Sequence, residues 1–363
     1  SSLLVIAAVW AFSLPSPIFY NQDKSKISGF NDFVLYYGTA TTVHDGDGDK
    51  MYDKDLQQQN LSRVTGVPVK KLIVFPYPPQ SMLFLAPLAG FSPAVAYFIW
   101  QIISIIATLL LITSLYFAGI FTKKNNSLLI TAILIVTFYP WVLGIRQGQV
   151  VILMTLGILG YHLLARHKHF ALAGMLIVLT AFKPPMVIGP VLYLLIIHGK
   201  RLWYSTILAS IAILAICPFI FGFSIWSSYI EVLFTASGVS DELANNLSIM
   251  GNLRSLLFLL LGSQYFSEIN LISSILWIIS IVATICLSIS LRNESQKMQE
   301  LGFSLAIAID CFFCPWMHIY SFLYLVIPIG YLAKHINLLT PEDEIKIMNY
   351  LIELNNETTL RTR

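Results

Sequence analysis

The feature that most restricts this chain is the recurrence of apolar stretches close to the length needed to cross a bilayer. A helix needs about 20 apolar residues to span the hydrocarbon, with ~17 as a practical lower bound. Residues 100–121, 128–144, 150–165, 202–221 and 269–291 meet or approach that length. Residues 3–14 read as a first span, with no A-x-A-type cleavage site after them. Little remains to cover a surface in water. Only 11% of the 363 residues are charged, against about 25% in an ordinary soluble domain. A soluble enzyme, a nucleic-acid binder and a disordered chain are poor readings, and a net charge of +3 is no polyanion-binding signature.

Two further apolar blocks are too long for one span and are interrupted in the middle. The block 170–197 is broken by Lys183-Pro184-Pro185, and 301–332 by Cys314-Pro315-Trp316-Met317-His318. Proline lacks an N–H donor and does not continue a helix. Compact basic clusters decide how the blocks run: Lys123/Lys124, Arg166/Lys168, Lys200/Arg201, Arg292/Lys297 and Lys334. Such clusters mark the cytoplasmic side. A block flanked by two of them crosses twice, so each interrupted block is a hairpin of two short helices with its break near the opposite face. Short half-helices require a protein-lined cavity at their tips, because non-helical backbone at depth must be buried in protein or line water.

The expectation is an all-α polytopic membrane protein of about ten transmembrane helices, several short and broken, with a helical first outer loop. Residues 1–338 form the membrane domain, including outer loops 21–91 and 223–268. Residues 339–363 form a polar cytoplasmic tail, helical and amphipathic over 341–354.

This direction gathers the unusual residues on the outer face. Asp32 heads an aromatic segment, where a partly buried carboxylate can accept a proton from a hydroxyl nucleophile; an N-cap for the following helix is the other reading. Arg146 and Lys183 are cations at the membrane boundary, where ionisable groups suggest a functional partner such as a lipid phosphate, or snorkel to headgroups. His318 suits a neutral donor or proton carrier, or an aromatic belt with Trp316 and Tyr320. Asp45-Gly46-Asp47-Gly48-Asp49 fails the EF-hand pattern, with Lys50 in place of glycine and Leu56 in place of the bidentate Glu. It reads as an acidic turn, with a D-x-D clamp on a sugar nucleotide as the minor alternative. Cys217, Cys286, Cys311 and Cys314 lie in apolar runs and behave as small hydrophobes. The C-x-x-C of Cys311 and Cys314 has no second pair to complete a zinc site. His162, Gln101 and Glu231 read as packing or loop residues. P-loop, GxGxxG and nucleophile-elbow motifs are absent from the sequence, as are internal repeats.

In order, the outer-face segments resemble glycosyltransferase family 87, polyprenyl-phosphate-sugar-dependent mannosyltransferases of the C-type superfamily. A D-F-x-x-Y-Y-like element is matched by Asp32, Phe33, Tyr36 and Tyr37. A G-x-x-x-Y-D-like element is matched by Gly48, Tyr52 and Asp53, and Y-P-P by Tyr77, Pro78 and Pro79. Gly148 and Gln149 match a G-Q element, with Val151 where the family often has Asn. Lys183 and Pro184 match K-P; Asn246, Ser248, Gly251 and Arg254 match an N-x-S-φ-x-G run with a later Arg. Pro315 and His318 match P-x-x-H. The resemblance covers roughly residues 30–330; the acidic turn 45–49 departs from it.

The resemblance implies a donor sugar, mannose, on polyprenyl phosphate and a glycolipid or glycan acceptor, with no metal or other cofactor. It implies Asp32 as the general base of an inverting transfer. Lys183, Arg146 and Arg254 would bind the donor phosphate. Tyr36, Tyr37, Tyr77, Gln149, Asn246, Ser248 and His318 would bind substrate. The site would face the extracytoplasmic side of the plasma (inner) membrane, amid membrane lipid and with no nucleic-acid partner. A transporter or lipid-linked-sugar flippase is the competing class, since broken helices with polar tips also build transporter sites.

Overall fold

The computed structural model describes residues 32–66, 68, 75–119, 127–236 and 250–336. These are helical, apart from turns and one isolated antiparallel bridge between Met250 and His318. The first loop carries α1 (Asp32–His44) and α2 (Lys54–Thr65), which pack on each other. Then come α3 (Pro93–Phe117), α4 (Ser127–Thr137), α5 (Tyr139–Gln147) and α6 (Val151–Arg166). The first interrupted block forms α7 (Phe170–Thr180) and α8 (Ile188–His198), and α9 (Lys200–Phe221) follows. The next loop holds α10 (Ile225–Ala236) and α11 (Leu253–Leu261). The chain continues through α12 (Phe266–Leu291), α13 (Gln296–Phe313) and α14 (Val326–Ile336).

Among the described residues, three helices are long and apolar enough to cross a membrane: Pro93–Phe117, Lys200–Phe221 and the Ser263–Leu291 stretch that contains α12. Helices α6, α7 and α8 are shorter and apolar. The expected span 3–14 and the tail 339–363 lie outside the described residues. The long helices are built for lipid. On α12, Leu271, Ile275, Ile278, Ile279, Val282 and Ile289 are exposed, while Ser273, Ser280, Thr284 and Ser288 are buried. Lipid tails are as apolar as leucine, so burying aliphatic groups between helices gains little there, and small or hydroxylated residues let helices approach. The crossing of α7 and α9 uses the same device. A Cβ on Gly174 would stand 2.6 Å from the Ser205 carbonyl oxygen.

Two expectations need correction in detail. Residues 128–144, read as one span, form two helices, α4 and α5, separated at the extended Phe138. Pro140 is the cause: proline is accommodated in the first turn of a helix and not in its interior. The second interrupted block breaks at 314–318 as expected. Its return arm, however, opens with a seven-residue 3-10 helix, Ile319–Leu325, ahead of α14. Runs of that length are uncommon, because 3-10 hydrogen bonds have poorer geometry. This run packs against α5, α6 and α13.

One end of the bundle is locked by Glu300 of α13, which is almost fully buried. Its Oε1 accepts from Arg166 Nη1 at 2.8 Å and Gln296 Nε2 at 2.7 Å. Its Oε2 accepts from Lys334 Nζ and His335 Nε2, each at 2.7 Å. The carboxylate thereby ties the end of α6 and the end of α14 to the start of α13.

Candidate active site

The other end of the bundle, where α6 begins and α13 stops, carries most of the singled-out polar groups. It is organised around Gln149, which immediately follows a helix terminator. Gly148 ends α5 in the left-handed conformation, φ 65°. Its N–H bonds to the Ile145 carbonyl at 3.1 Å, and the Gln149 N–H to the Gly144 carbonyl at 2.8 Å. This pair of bonds is the Schellman closure that a C′ glycine allows. From α3, Trp100 Nε1 donates to Gly148 O at 2.8 Å and Gln101 Nε2 to Ile145 O at 3.1 Å. The Gly144 and Ile145 carbonyls in the last turn of α5 are thus satisfied, and Gln149 is held buried at a set position.

The Gln149 side chain then joins two charges. Its Nε2 donates to Asp32 Oδ2, 117 positions away in the chain. Its Oε1 accepts from Lys183 Nζ at 3.2 Å and from the Tyr36 hydroxyl at 3.2 Å. A carboxylate only accepts and an ammonium only donates, so these partners leave the amide one orientation. Asp32 is the first residue of α1, and its carboxylate reaches across to Gln149 instead of turning back onto its own helix. Burial raises its proton affinity above the usual carboxylate value, opposed by Lys183 and by the Gln149 hydrogen bond. Lys183 sits in the break between α7 and α8, just before the short 3-10 turn Pro184–Met186. Burial lowers its pKa to about 8 against the opposing pull of Asp32.

Aromatic rings wall this pair. The Tyr36 and Tyr77 hydroxyls are 2.8 Å apart, with the rings edge-on at 5.2 Å. Tyr52 supports the Tyr77 segment by donating to its carbonyl at 2.6 Å, and Asp53 caps α2 by accepting from the Leu56 N–H at 2.8 Å. Lys183 Nζ lies 5.3 Å from the Tyr77 ring centre and 4.8 Å from that of Tyr320, within cation–π range. It also donates to the Tyr320 hydroxyl at 3.1 Å. His318 stacks on Tyr320, ring centres 5.2 Å apart at 6°, and its Nδ1 is 3.0 Å from Trp316 O. Burial and the charges of Lys183 and Arg254 bring the His318 pKa down to about 3, so the ring is neutral. Arg254 is drawn in by backbone: Met250 bridges to His318, and Asn252 caps α11 while donating to Cys314 O at 2.8 Å. The Arg254 guanidinium is buried and lies 5.7 Å from the Phe266 ring.

Asp32, Tyr36, Tyr77, Gln149, Lys183 and His318 therefore belong to one continuous constellation, with Arg254 beside His318. The other residues singled out in the sequence stand differently. Tyr37 faces elsewhere, donating to Phe91 O at 2.7 Å. Arg146 is exposed in the last turn of α5. Asn246 and Ser248 lie outside the described residues. In the acidic turn, Asp45 pairs with Arg63 and Asp47 with Lys50, each at 2.7 Å. Among the described residues, no cluster of three or more His, Cys, Asp or Glu side chains is suited to a metal ion. The member that sequence reasoning missed is Tyr320. It stood only as a belt aromatic two positions after His318, and nothing local marks its contact with Lys183.

A carboxylate able to accept a proton, a buried cation and hydroxylated rings are compatible with transfer of a group away from an anionic carrier. Comparison with known proteins agrees at the level of family. The model of glycosyltransferase family 87 matches residues 75–313, which include Tyr77, Gln149, Lys183 and Arg254. Searches of curated proteins and of solved structures return no match. Asp32 and Tyr36 precede the matched segment and His318 and Tyr320 follow it, and tertiary contacts bring all four to the residues within it, His318 through its bridge to Met250. With that match spanning well over half of its length, the chain belongs to glycosyltransferase family 87 and is a membrane glycosyltransferase.

Proposed function

We propose that the protein transfers a sugar, mannose, from polyprenyl phosphate to a hydroxyl of a glycolipid or glycan acceptor, with inversion, at the extracytoplasmic face of the plasma membrane. The observation that carries this reading is the Asp32–Gln149–Lys183 bridge, which places a base and a cation one amide apart. Gln149 engages Asp32 Oδ2 and leaves Oδ1 to take the acceptor proton. The acceptor oxygen then attacks the anomeric carbon as the bond to the phosphate oxygen breaks. The departing phosphate gains negative charge, which Lys183 stabilises with Arg254 and neutral His318 beside it. In a site with little water such fixed charges act strongly on the transition state. Arg146, exposed nearby, meets the donor at the membrane boundary. Tyr36 and Tyr77 flank the sugar, and Asn246 and Ser248 complete the substrate contacts. Tyr37, whose hydroxyl is used by Phe91 O, supports the loop.

The corresponding topology is a C-type arrangement of about ten spans with the Glu300 end inside. The test is Asp32→Asn in the purified chain, reconstituted in vesicles with polyprenyl-phosphate mannose and a glycolipid acceptor. Loss of transfer with unchanged melting behaviour is expected. Retained turnover removes Asp32 as the base, and translocation of donor without covalent product moves the assignment to a flippase.

A further inference from the structure

Tyr320 belongs to none of the motifs that mark the site, yet it touches two of its members. Its hydroxyl accepts from Lys183 Nζ, its ring lies under the same ammonium, and it stacks on the His318 imidazole. Its position is not a default of the backbone. It is the second residue of the 3-10 run Ile319–Leu325, and that run packs on α5, the helix whose terminator presents Gln149. The two polar partners of Lys183 are thereby mounted on elements that touch each other.

We propose that Tyr320 is a positioning residue for Lys183, holding the ammonium against Gln149 with one N–H directed to the donor phosphate. The proposal rests on the reading of Lys183 as the cation that meets the leaving group. An ammonium has three N–H donors. Gln149 Oε1 and the Tyr320 hydroxyl take two of them, which leaves one for a phosphate oxygen. A lysine side chain is flexible and loses much rotamer freedom when held. Two acceptors and the rings of Tyr77 and Tyr320 on either hand restrict it before the donor arrives. The tyrosine oxygen also favours the protonated amine, against the burial that brings its pKa to about 8. The ionisable groups facing Lys183 are Asp32 from α1, Tyr77 from the loop before α3, Cys314 from the end of α13, and Tyr320 with His318 from the segment that follows. Asp32 is the anion among them.

The experiment compares the reconstituted wild-type chain with Tyr320→Phe, which keeps the ring and loses the oxygen. Transfer is followed across neutral to alkaline pH with polyprenyl-phosphate mannose and a glycolipid acceptor. Losing an acceptor disfavours the ammonium, so the alkaline limb of kcat is expected to move to lower pH by about one unit, with kcat down about tenfold and acceptor KM unchanged. In parallel, the onset of Lys183 labelling by an amine-reactive acylating reagent, read by peptide mass spectrometry, shifts to lower pH by the same amount. A wild-type limb and wild-type labelling onset overturn the proposal. If Tyr320→Phe does not fold, Tyr320→Trp takes its place, since it keeps a ring face without the phenol oxygen. Asp32→Asn run alongside separates the two ideas. Retained turnover there removes Asp32 as the base, and translocation of donor without covalent product defeats the transfer reading, whereas an inactive Asp32→Asn with an unshifted Tyr320→Phe defeats the role of Tyr320 alone.

Discussion

Asp32 and Glu300 mark opposite ends of the bundle, separated by the sixteen residues of α6, about 24 Å of helix. Both are acids beside cations, yet they are treated in opposite ways. Glu300 is saturated: four donors, three of them from basic side chains, contact its two oxygens directly. Asp32 has no direct ion pair with Lys183. A neutral amide stands between them, donating to one and accepting from the other. Direct pairing spends the charge on holding helices together, since a buried ion pair is sustained only by full hydrogen bonding of its members. Interposing an amide keeps base and cation close without neutralising either. The comparison teaches that the acid proposed as the base is the one the fold leaves partly unsatisfied.

The contrast breaks most sharply at Asp32. Asn in its place preserves the hydrogen bond to Gln149 in altered form and removes the proposed base, so the transfer rate is expected to fall by about 10³-fold, within the range for general-base loss. Melting temperature checks that the fold survives. Lys183→Met comes next, with a fall in kcat of about 10²-fold from the lost charge at the proposed leaving phosphate. The same pair predicts a bell-shaped pH profile. On the proposed mechanism, activity requires ionised Asp32 and protonated Lys183. The rate therefore rises through the raised pKa of Asp32 and falls as pH passes about 8, where Lys183 loses its proton. In Lys183→Met the alkaline limb near that pH is absent, which a rate-versus-pH series reads directly.

Gln149→Leu tests the spacer itself. With the amide gone, Asp32 and Lys183 are free to pair as Glu300 does, and kcat is expected to drop about tenfold to a hundredfold while the protein melts at nearly the wild-type temperature. An unchanged kcat would make the amide a bystander. The smallest effect on chemistry belongs to Glu300→Gln. Its partners are partly exposed, so the loss is discounted from that of a fully buried pair to about 2 kcal/mol of stability. Turnover per folded molecule stays within about twofold, as thermal unfolding and active-site-normalised rates would show.

Much of this arrangement is legible in the chain. Apolar run lengths mark the long helices, and Lys183-Pro184-Pro185 and Pro315 mark the breaks where helices α7 and α13 end. The Gly148-Gln149 pair is legible as a helix stop because glycine accepts positive φ. The split of 128–144 was signalled by Pro140 but hidden by the surrounding apolar residues, since hydropathy does not register a single missing donor. The Glu300 lock and the Tyr320 contact carried no local signal. Their partners lie 134 and 137 positions away, and contact depends on the rotation of each helix about its axis.

The sequence by itself determined that this is a membrane-spanning helical protein with polar groups at helix breaks. Hydrophobic length and proline chemistry act locally, so they can be read locally. Tertiary structure decided which of those groups meet: Asp32 with Gln149, Lys183 with Tyr320, and Glu300 with Arg166. Small residues at helix crossings and the α5 terminator set those distances. Interhelical packing is collective, and the identity of a residue does not specify its distant neighbour.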